Sequence, residues 1–347
     1  MTRKEPSHKE WNELFAAAKR FKQHECWNDM HNSDVFGVKN PETGEIGYCC
    51  VMGNAGQHYS LAVYKGSVGL DGLLKIFNDE VDATGFNALH VQHCLMASFE
   101  DRKFIDKKDY ALIKKLGLSF RGKNAWPLFR DYTPGFYPWY ITSDDARFLT
   151  IALDQSIIIA KRVKEDPDLL FPEDDEFKYL VRVTQKKNDT IIWNDAWLVP
   201  KAINQKHLSV DFMKHHSYKT RFEHIKKNCK KRNDVWEVDI SYNPQPIQEK
   251  KEQRPYYPKV MMFADHHTEM ILSFAITQPD TYQKEYVDEF LSFVEKNGFL
   301  PKEIIAADEE FLALIQPVTK ELGIDLFKTD YLDVIEEVKQ TMGDFFR

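Results

Sequence analysis

The chain has 347 residues, 43% of them hydrophobic and 13% aromatic, and its formal net charge at pH 7 is −7. This length exceeds the usual size of one compact core, so we expect two globular domains, and the composition excludes an extended disordered protein. The acidic balance disfavours general affinity for nucleic acid, and the lack of any apolar run near the ~18 residues of a membrane span predicts a cytoplasmic protein.

The first half is predicted to begin with an amphipathic helix, followed by three antiparallel strands and then by alternating helices and strands. Ser7 is a suitable N-cap for the first helix, whose apolar stripe includes Trp11, Leu14 and Phe15. The predicted elements are helix 8–24, strands 35–39, 46–52 and 59–64, helix 70–77, strand 94–98, helix 107–116, a strand beginning at residue 118 and helix 143–163.

A stretch rich in Trp, Phe, Tyr, Pro and Arg, residues 121–140, precedes the last of these helices. Aromatic rings between arginines can stack on nucleic-acid bases. Prolines at this density are more typical of an ordered loop that packs its aromatic side chains on the core, and we favour that interpretation.

An acidic segment with two prolines, residues 166–176, predicts a linker or domain edge, and a hairpin and a basic helix follow it. We therefore divide the chain into an N-terminal α/β domain, residues 1–165, a middle segment, residues 166–232, and a C-terminal α/β domain, residues 233–347. The predicted elements of the last domain are strands 235–242, 259–264 and 270–277, helix 282–296, strand 303–307, helix 309–322, strand 325–327 and helix 331–345.

The two halves share a pattern. Each contains an apolar run that ends in carboxylates, an amphipathic helix that ends in Lys-x-Leu-Gly at Gly117 or Gly323, and a second apolar run. Glycine at that position supplies a left-handed helix C-cap. The pattern predicts an α/β fold of two related halves, each a mixed sheet with three antiparallel strands followed by α-β-α-β-α. Residues 34–163 and 235–346 are then expected to superpose.

Several motifs of the first half resemble an uncharacterised family of bacterial proteins. They are Gly47–Gly53 (GYCCVMG), His58–Tyr64 (HYSLAVY), Met96–Arg102 (MASFEDR), and Phe120–Lys123 (FRGK) with Trp126–Arg130 (WPLFR). That family pairs two consecutive domains of unknown function, and the resemblance extends over most of the chain. It implies a bacterial intracellular protein and brings no catalytic residues.

The predicted element order also resembles the ribonuclease H-like fold of nucleases, integrases and transposases. The C-terminal half has Asp239 in its first strand and Asp308 at the end of its fourth strand. In such folds these positions adjoin, and carboxylates there hold Mg²⁺ for in-line phosphoryl transfer. Strand alternation places Asp239 on one face with Glu237 and Ser241. The first half has Phe36 near the position of Asp239 and is expected to be inert.

The sequence predicts no third carboxylate that faces Asp239 and Asp308. At 100° per residue, Glu285 and Glu289 lie opposite the apolar face of their helix. The apolar face of the last helix likewise turns Asp333 and Glu337 outward, and Asp333 with Asp330 is better explained as a capping pair. We expect none of these side chains to converge on Asp239 and Asp308.

The main electrostatic feature is a basic stretch, residues 201–232, with ten Lys or Arg against two acidic residues. Its helical pattern leaves Lys226, Lys227, Lys230 and Lys231 toward solvent. A solvated bridging helix is the favoured interpretation. The alternative is a face that binds an anionic partner, either a nucleic acid or an acidic protein.

Other metal or nucleophile chemistry has little support. The five cysteines form no C-x-x-C pair, and neither His215–His216 nor His266–His267 has partners at a recognised ligand spacing. Two hypotheses remain: a non-catalytic binding scaffold that needs no cofactor, and a Mg²⁺-dependent nuclease or phosphoryl-transfer enzyme that uses Asp239 and Asp308. The missing third carboxylate and the acidic net charge favour the scaffold.

Overall fold

The structure, a computed structural model, describes residues 4–175, 177–187, 190–202 and 215–345. The chain forms two compact units, Met1–Ile203 and Asn204–Arg347. Each unit combines a mixed sheet with helices, which confirms the predicted α/β class. Within the described residues, no helix is both long enough and apolar enough to cross a bilayer.

The first unit is built on a sheet to which seven strands of its described residues contribute. Its elements are α1 (His8–His24), β1 (Phe36–Lys39), β2 (Ile46–Met52), β3 (Ser60–Lys65), α2 (Gly66–Phe77), α3 (Ala88–Val91), β4 (Cys94–Glu100), α4 (Lys107–Lys115), β5 (Trp126–Tyr132), α5 (Ser143–Glu165), β6 (Tyr179–Lys187) and β7 (Thr190–Leu198). The strand order is β5-β4-β3-β2-β1-β6-β7, and neighbours are antiparallel except β1 and β6.

Helices α1 and α5 bury their apolar stripes on one face of this sheet, and α2 packs on the other. Helix α1 starts where the sequence predicts, because Ser7 and Glu10 form a capping box. Phe129 is buried and Trp126 packs against the same core, which confirms the packing interpretation for this part of the aromatic stretch.

The second unit is built on a five-stranded sheet within its described residues. Its elements are α6 (His216–Asn228), β8 (Lys230–Lys231), β9 (Val235–Tyr242), β10 (Lys259–Asp265), β11 (Met270–Thr277), α7 (Tyr282–Asn297), β12 (Phe299–Leu300), β13 (Glu303–Ala306), α8 (Glu309–Leu322), β14 (Asp325–Lys328) and α9 (Asp333–Phe345). The order is β11-β10-β9-β13-β14, with β9, β13 and β14 parallel and β10 antiparallel to both neighbours. This is the ribonuclease H-like arrangement predicted for the C-terminal half.

The predicted duplication is wrong, because the two sheets differ in strand order. In the first unit β4 pairs antiparallel with β3, whereas in the second unit the chain crosses to the far side of β9 and β13 pairs parallel with it. The shared Lys-x-Leu-Gly ends a helix in both units, with φ of 69° at Gly117 and 67° at Gly323. This signal is local, so it does not determine which strand the following segment joins. No strand forms at residue 118, and β5 begins only at Trp126.

The predicted middle segment, residues 166–232, contributes to both units. The hairpin of β6 and β7 extends the first sheet through the parallel pairing of β6 with β1. Helix α6 belongs to the second core, where Tyr218, Phe222 and Ile225 of its predicted apolar stripe are buried. Residues 203–214 of the basic stretch lie outside the described residues.

The second sheet is covered on both faces. Helices α6, α7 and α8 pack on one face around Trp236 and Phe263, and α9 packs on the other face against Met262 and Ala264. Alternation along β9 therefore points Trp236 and Val238 toward α7 and α8. It points Glu237 and Asp239 toward α9.

Candidate functional site

The candidate site lies where the second sheet reverses direction. β9 pairs in parallel with β13 on one side and antiparallel with β10 on the other. Ligands of open α/β sheets bind beyond the carboxyl ends of the strands at such a switch point. Asp239 lies near the carboxyl end of β9, and Asp308 follows the end of β13. The fold thus brings the two predicted carboxylates to one edge.

Asp239 is neutralised by a lysine of the last helix. Its side chain is 13% exposed and faces α9, where Nζ of Lys339 lies 3.0 Å from its Oδ2. The same ammonium group lies 3.0 Å from Oε1 of Glu336. Burial acts to lower the pKa of Lys339, yet the pKa is raised overall because Asp239 and Glu336 stabilise the charged form. The lysine is therefore held as a cation at neutral pH.

Glu237 lies on the same strand face, but it holds the start of α9. It is fully buried, and its Oε2 accepts hydrogen bonds from the backbone N–H groups of Val334 and Ile335, both at 3.1 Å. Its Oε1 lies 2.6 Å from Nδ1 of His266. A carboxylate of the sheet thus satisfies buried N–H groups that have no partner within the first turn of the helix, the role that the sequence suggested for Asp330 and Asp333.

Asp308 has a structural task as well. It is the N-cap residue of α8, and its Oδ1 accepts the backbone N–H of Phe311 at 2.6 Å. Burial raises the pKa of Asp308, and the negative charges of Glu310 and Asp239 raise it further. The Phe311 N–H and the positive charge of Lys259 act in the opposite direction. Asp308 and Asp239 are therefore close enough to interact electrostatically.

Lys259 lies beside Asp308 in a second cluster, in which a carboxylate balances its positive charge. It is buried, and its Nζ lies 2.7 Å from Oε2 of Glu310 and 3.9 Å from the ring centroid of Tyr282. The Tyr242 ring is 5.0 Å away, and the Tyr282 hydroxyl donates to Glu310. The pKa of Tyr282 is raised by burial and by the charge of Glu310. Cation–π contacts and one carboxylate thus stabilise the buried ammonium group.

Both lysines were missed in the sequence analysis. Lys339 follows the buried Ile335 by four residues, so it lies on the inward face of α9. Lys259 opens a strand whose next five residues are apolar, and it pairs in register with Tyr242 and Thr277. Searching these two inward faces for cations as well as for carboxylates would have found them.

The four other predicted acids lie elsewhere. Glu285, Asp333 and Glu337 are exposed, and Glu289 accepts a hydrogen bond from Oγ of Ser273 at 2.7 Å. In the part of the chain that the structure describes, no group of three or more His, Cys, Asp or Glu side chains could hold a metal ion.

The residues at this edge leave few free ligands for Mg²⁺. It takes oxygen ligands in near-octahedral geometry. One oxygen of Asp239 binds the Lys339 ammonium group, and one oxygen of Asp308 binds the Phe311 N–H. A Mg²⁺ ion bound between the two carboxylates would lie beside the Lys339 ammonium group, and the two positive charges would repel each other.

The predicted anion-binding lysines lie at α6 and the strand after it, and two of them have partners within the protein. Lys226 lies 2.5 Å from Oε1 of Glu321, and Nζ of Lys231 donates to the carbonyl oxygen of Gly323. Lys227 and Lys230 are exposed. The face therefore offers less free positive charge than its sequence suggests.

Two family models match the chain. Residues 11–182 match the model described as Domain of unknown function (DUF7309), and residues 221–343 match the model described as Domain of unknown function (DUF6930). These two matches confirm the predicted resemblance to proteins with two consecutive domains of unknown function. No curated protein matches the chain.

The similar solved structures include the dimeric and trimeric forms of the HTLV-2 integrase catalytic core domain in complex with magnesium. Each is 17% identical over 32% of this chain and 68% of the integrase chain, with TM-scores of 0.24 and 0.25. Likeness at this level carries no argument about function. The second unit is placed in the ribonuclease H-like class by its own strand order and directions.

Proposed function

We propose that the protein is a non-catalytic binding scaffold whose second unit retains a ribonuclease H-like sheet without its metal chemistry. The observation that carries this proposal is the ion pair between Lys339 and Asp239 at the switch point of the sheet. A lysine is held where a divalent cation would otherwise balance the carboxylates.

Electrostatic repulsion from the Lys339 ammonium group disfavours a metal ion at this position. Two unit charges about 4 Å apart interact by about 4 kcal/mol at an effective dielectric constant near 20, and a divalent ion doubles that figure. A metal ion would have to displace the ammonium group or accept this repulsion. Lys339 is covalently part of the domain, whereas the ion must be captured from solution, so the lysine has the advantage at ordinary metal concentrations.

The alternative function is a Mg²⁺-dependent nuclease or phosphoryl-transfer enzyme that uses Asp239 and Asp308. It draws support from the proximity of these carboxylates, since the charge of Asp239 helps to raise the pKa of Asp308. It would require Lys339 to leave Asp239 when substrate and metal bind.

We propose further that α6 and the strand after it contribute to binding an anionic partner, a nucleic acid or an acidic protein. Lys227 and Lys230 would make the principal contacts, because Lys226 and Lys231 are engaged with Glu321 and Gly323. The motif resemblance implies a bacterial origin and a cytoplasmic location, and both remain predictions.

A cleavage assay separates the two functions. Intact protein is incubated with single-stranded and duplex RNA and DNA in the presence of Mg²⁺ or Mn²⁺, beside the Asp308→Asn variant. If the protein is a scaffold, neither the intact protein nor the Asp308→Asn variant should cleave above background. Metal-dependent cleavage by the intact protein that disappears in Asp308→Asn would establish the enzyme instead.

A further inference from the structure

A second basic surface lies in the first unit, at the end of the sheet where β4 leads into α4. Residues 102–123 contain eight Lys or Arg and only two acidic residues. All eight cations are exposed: Arg102, Lys103, Lys107, Lys108, Lys114, Lys115, Arg121 and Lys123. We call this set the α4 basic surface. The net charge of the whole chain conceals this surface, because acidic residues elsewhere outweigh it.

The lysines of α4 point in one direction. At 100° per residue, the four lysines of this helix fall within an arc of about 120°, opposite the buried Ile113. Within the described residues only Lys108 among the eight cations forms an ion pair, with Glu5 at 3.6 Å between two exposed side chains. Such a pair contributes little and is easily exchanged for another anion.

The two acidic residues of the stretch cancel only a small part of this charge. Asp106 and Asp109 both bind the guanidinium group of Arg130, which adds a further cation beside them. Asp106 also caps α4 through the N–H of Asp109 and accepts the hydroxyl of Tyr140. With Arg130 the two carboxylates leave a net charge of −1, so the lysines of α4 retain most of their positive field over about one Debye length, roughly 8–10 Å at ordinary salt.

Aromatic rings lie among these cations. The guanidinium carbon of Arg102 is 4.0 Å from the ring centroid of Tyr110 and 5.4 Å from that of Trp126. Phe104 is 60% exposed, and Nζ of Lys103 lies 4.8 Å from its ring centroid. An exposed aromatic ring flanked by cations can stack on an unpaired base while the cations contact phosphates.

The loop before β5 completes the surface. The backbone N–H of Asn124 donates to Oδ1 of Asp101 at 2.8 Å, and Nζ of Lys22 donates to the carbonyl oxygen of Asn124. Glu100 pairs in register with Trp126. These contacts hold Arg121 and Lys123 close to the segment that begins at Arg102.

We propose that the α4 basic surface binds single-stranded nucleic acid, with its lysines on the phosphate backbone and Phe104 stacked on a base. The chemistry is complementary on both counts: a polyanion meets a cluster of exposed cations, and exposed bases meet an exposed ring. The net charge of −7 disfavours general affinity for nucleic acid, but charges more than a Debye length from this surface are largely screened.

The test is a titration of intact protein against a labelled oligouridylate of about twenty nucleotides, longer than the site of a single binding fold. Fluorescence anisotropy is recorded from about 50 to 200 mM salt, where phosphate contacts weaken steeply. The α4 variant carries Lys107→Gln, Lys108→Gln, Lys114→Gln and Lys115→Gln, since glutamine preserves helix propensity. The matched control carries four Lys→Gln changes at exposed helical lysines outside both basic surfaces: Lys9, Lys19, Lys161 and Lys164.

We expect the α4 variant to bind at least tenfold more weakly and to lose about 0.7 of salt slope for each phosphate contact removed. The control should lose much less affinity. Phe104→Ala should weaken binding about fivefold or more without changing the salt slope. Circular dichroism establishes that each variant is folded.

Three results would overturn the inference: no binding by the intact protein at about 50 mM salt, where phosphate contacts are strong, equal binding by the α4 variant, or a Phe104→Ala variant that binds like the intact protein. Loss of binding in the control alone would refute this surface. Tighter binding of duplex than of single strands would refute the proposed class of partner.

Discussion

The ammonium nitrogen of Lys339 lies 3.0 Å from Oδ2 of Asp239, which joins the last helix to the central strand of the second sheet. Two residues earlier on that strand, Glu237 accepts the N–H groups of Val334 and Ile335. Helix α9 is therefore fixed to β9 at its start and again one to two turns later. The first contact positions the helix so that the second places a cation beside Asp239.

Glu237→Ala is expected to destabilise the second unit by about 2–4 kcal/mol, because it removes a helix cap and leaves buried N–H groups without a partner. Urea unfolding followed by circular dichroism measures the change. Glu337→Ala, an exposed change on the same helix, should alter stability by less than about 0.5 kcal/mol. Similar effects of the two substitutions would contradict the role given to Glu237.

Asp308→Asn is expected to stabilise the protein at neutral pH. The pKa of Asp308 is raised in the folded state, so between its ordinary pKa and the raised value the folded protein binds more protons than the unfolded chain. Stability therefore falls as pH rises through that range, and asparagine removes this loss while retaining a capping oxygen. The advantage of the variant should disappear below the ordinary pKa of aspartate, as measured by unfolding at a series of pH values.

An advantage that is constant with pH would contradict this account of Asp308. Asp239→Asn provides a second check, because removing the neighbouring negative charge should lower the pKa of Asp308. Titration of the Asp308 carboxyl carbon by NMR in both proteins reports that shift directly.

Glu10→Gln is expected to destabilise the first unit by about 1 kcal/mol at pH 7, the usual effect of losing a capping interaction. The hydrogen bond from the Ser7 backbone, with contacts to Ser143 and Arg147, lowers the pKa of Glu10 to about 2. Its contribution is therefore complete above the ordinary glutamate pKa and is lost as pH falls toward 2. Thermal unfolding at pH 7 and pH 2 checks this, with the exposed Glu13→Gln as the control.

The sequence predicts the local structure of this chain well and its sheet topology only in part. Apolar periodicity placed α1 and α5 correctly, and Gly117 and Gly323 end their helices as expected. Strand neighbours depend on which faces become buried together, and the local repeat contains no such information. The assumption that similar local units imply similar sheets therefore failed at β4.

The same limit applies to the candidate site. The resemblance to the ribonuclease H-like strand order singled out Asp239 and Asp308, and the parallel pairing of β9 with β13 brings them to one edge. The lysines that neutralise the site come from β10 and α9, which are distant in sequence. Only the packing of α9 against β9 establishes that Lys339, rather than an acidic residue of that helix, reaches Asp239.

The central claim is that Lys339 occupies the cation position beside Asp239, and a Mn²⁺ titration of the intact protein by isothermal calorimetry tests it most directly. We predict no saturable binding up to millimolar Mn²⁺ for the intact protein, and weak binding in Lys339→Met, where the two carboxylates lose their internal counter-ion. Saturable binding by the intact protein that is abolished by Asp308→Asn would contradict the claim.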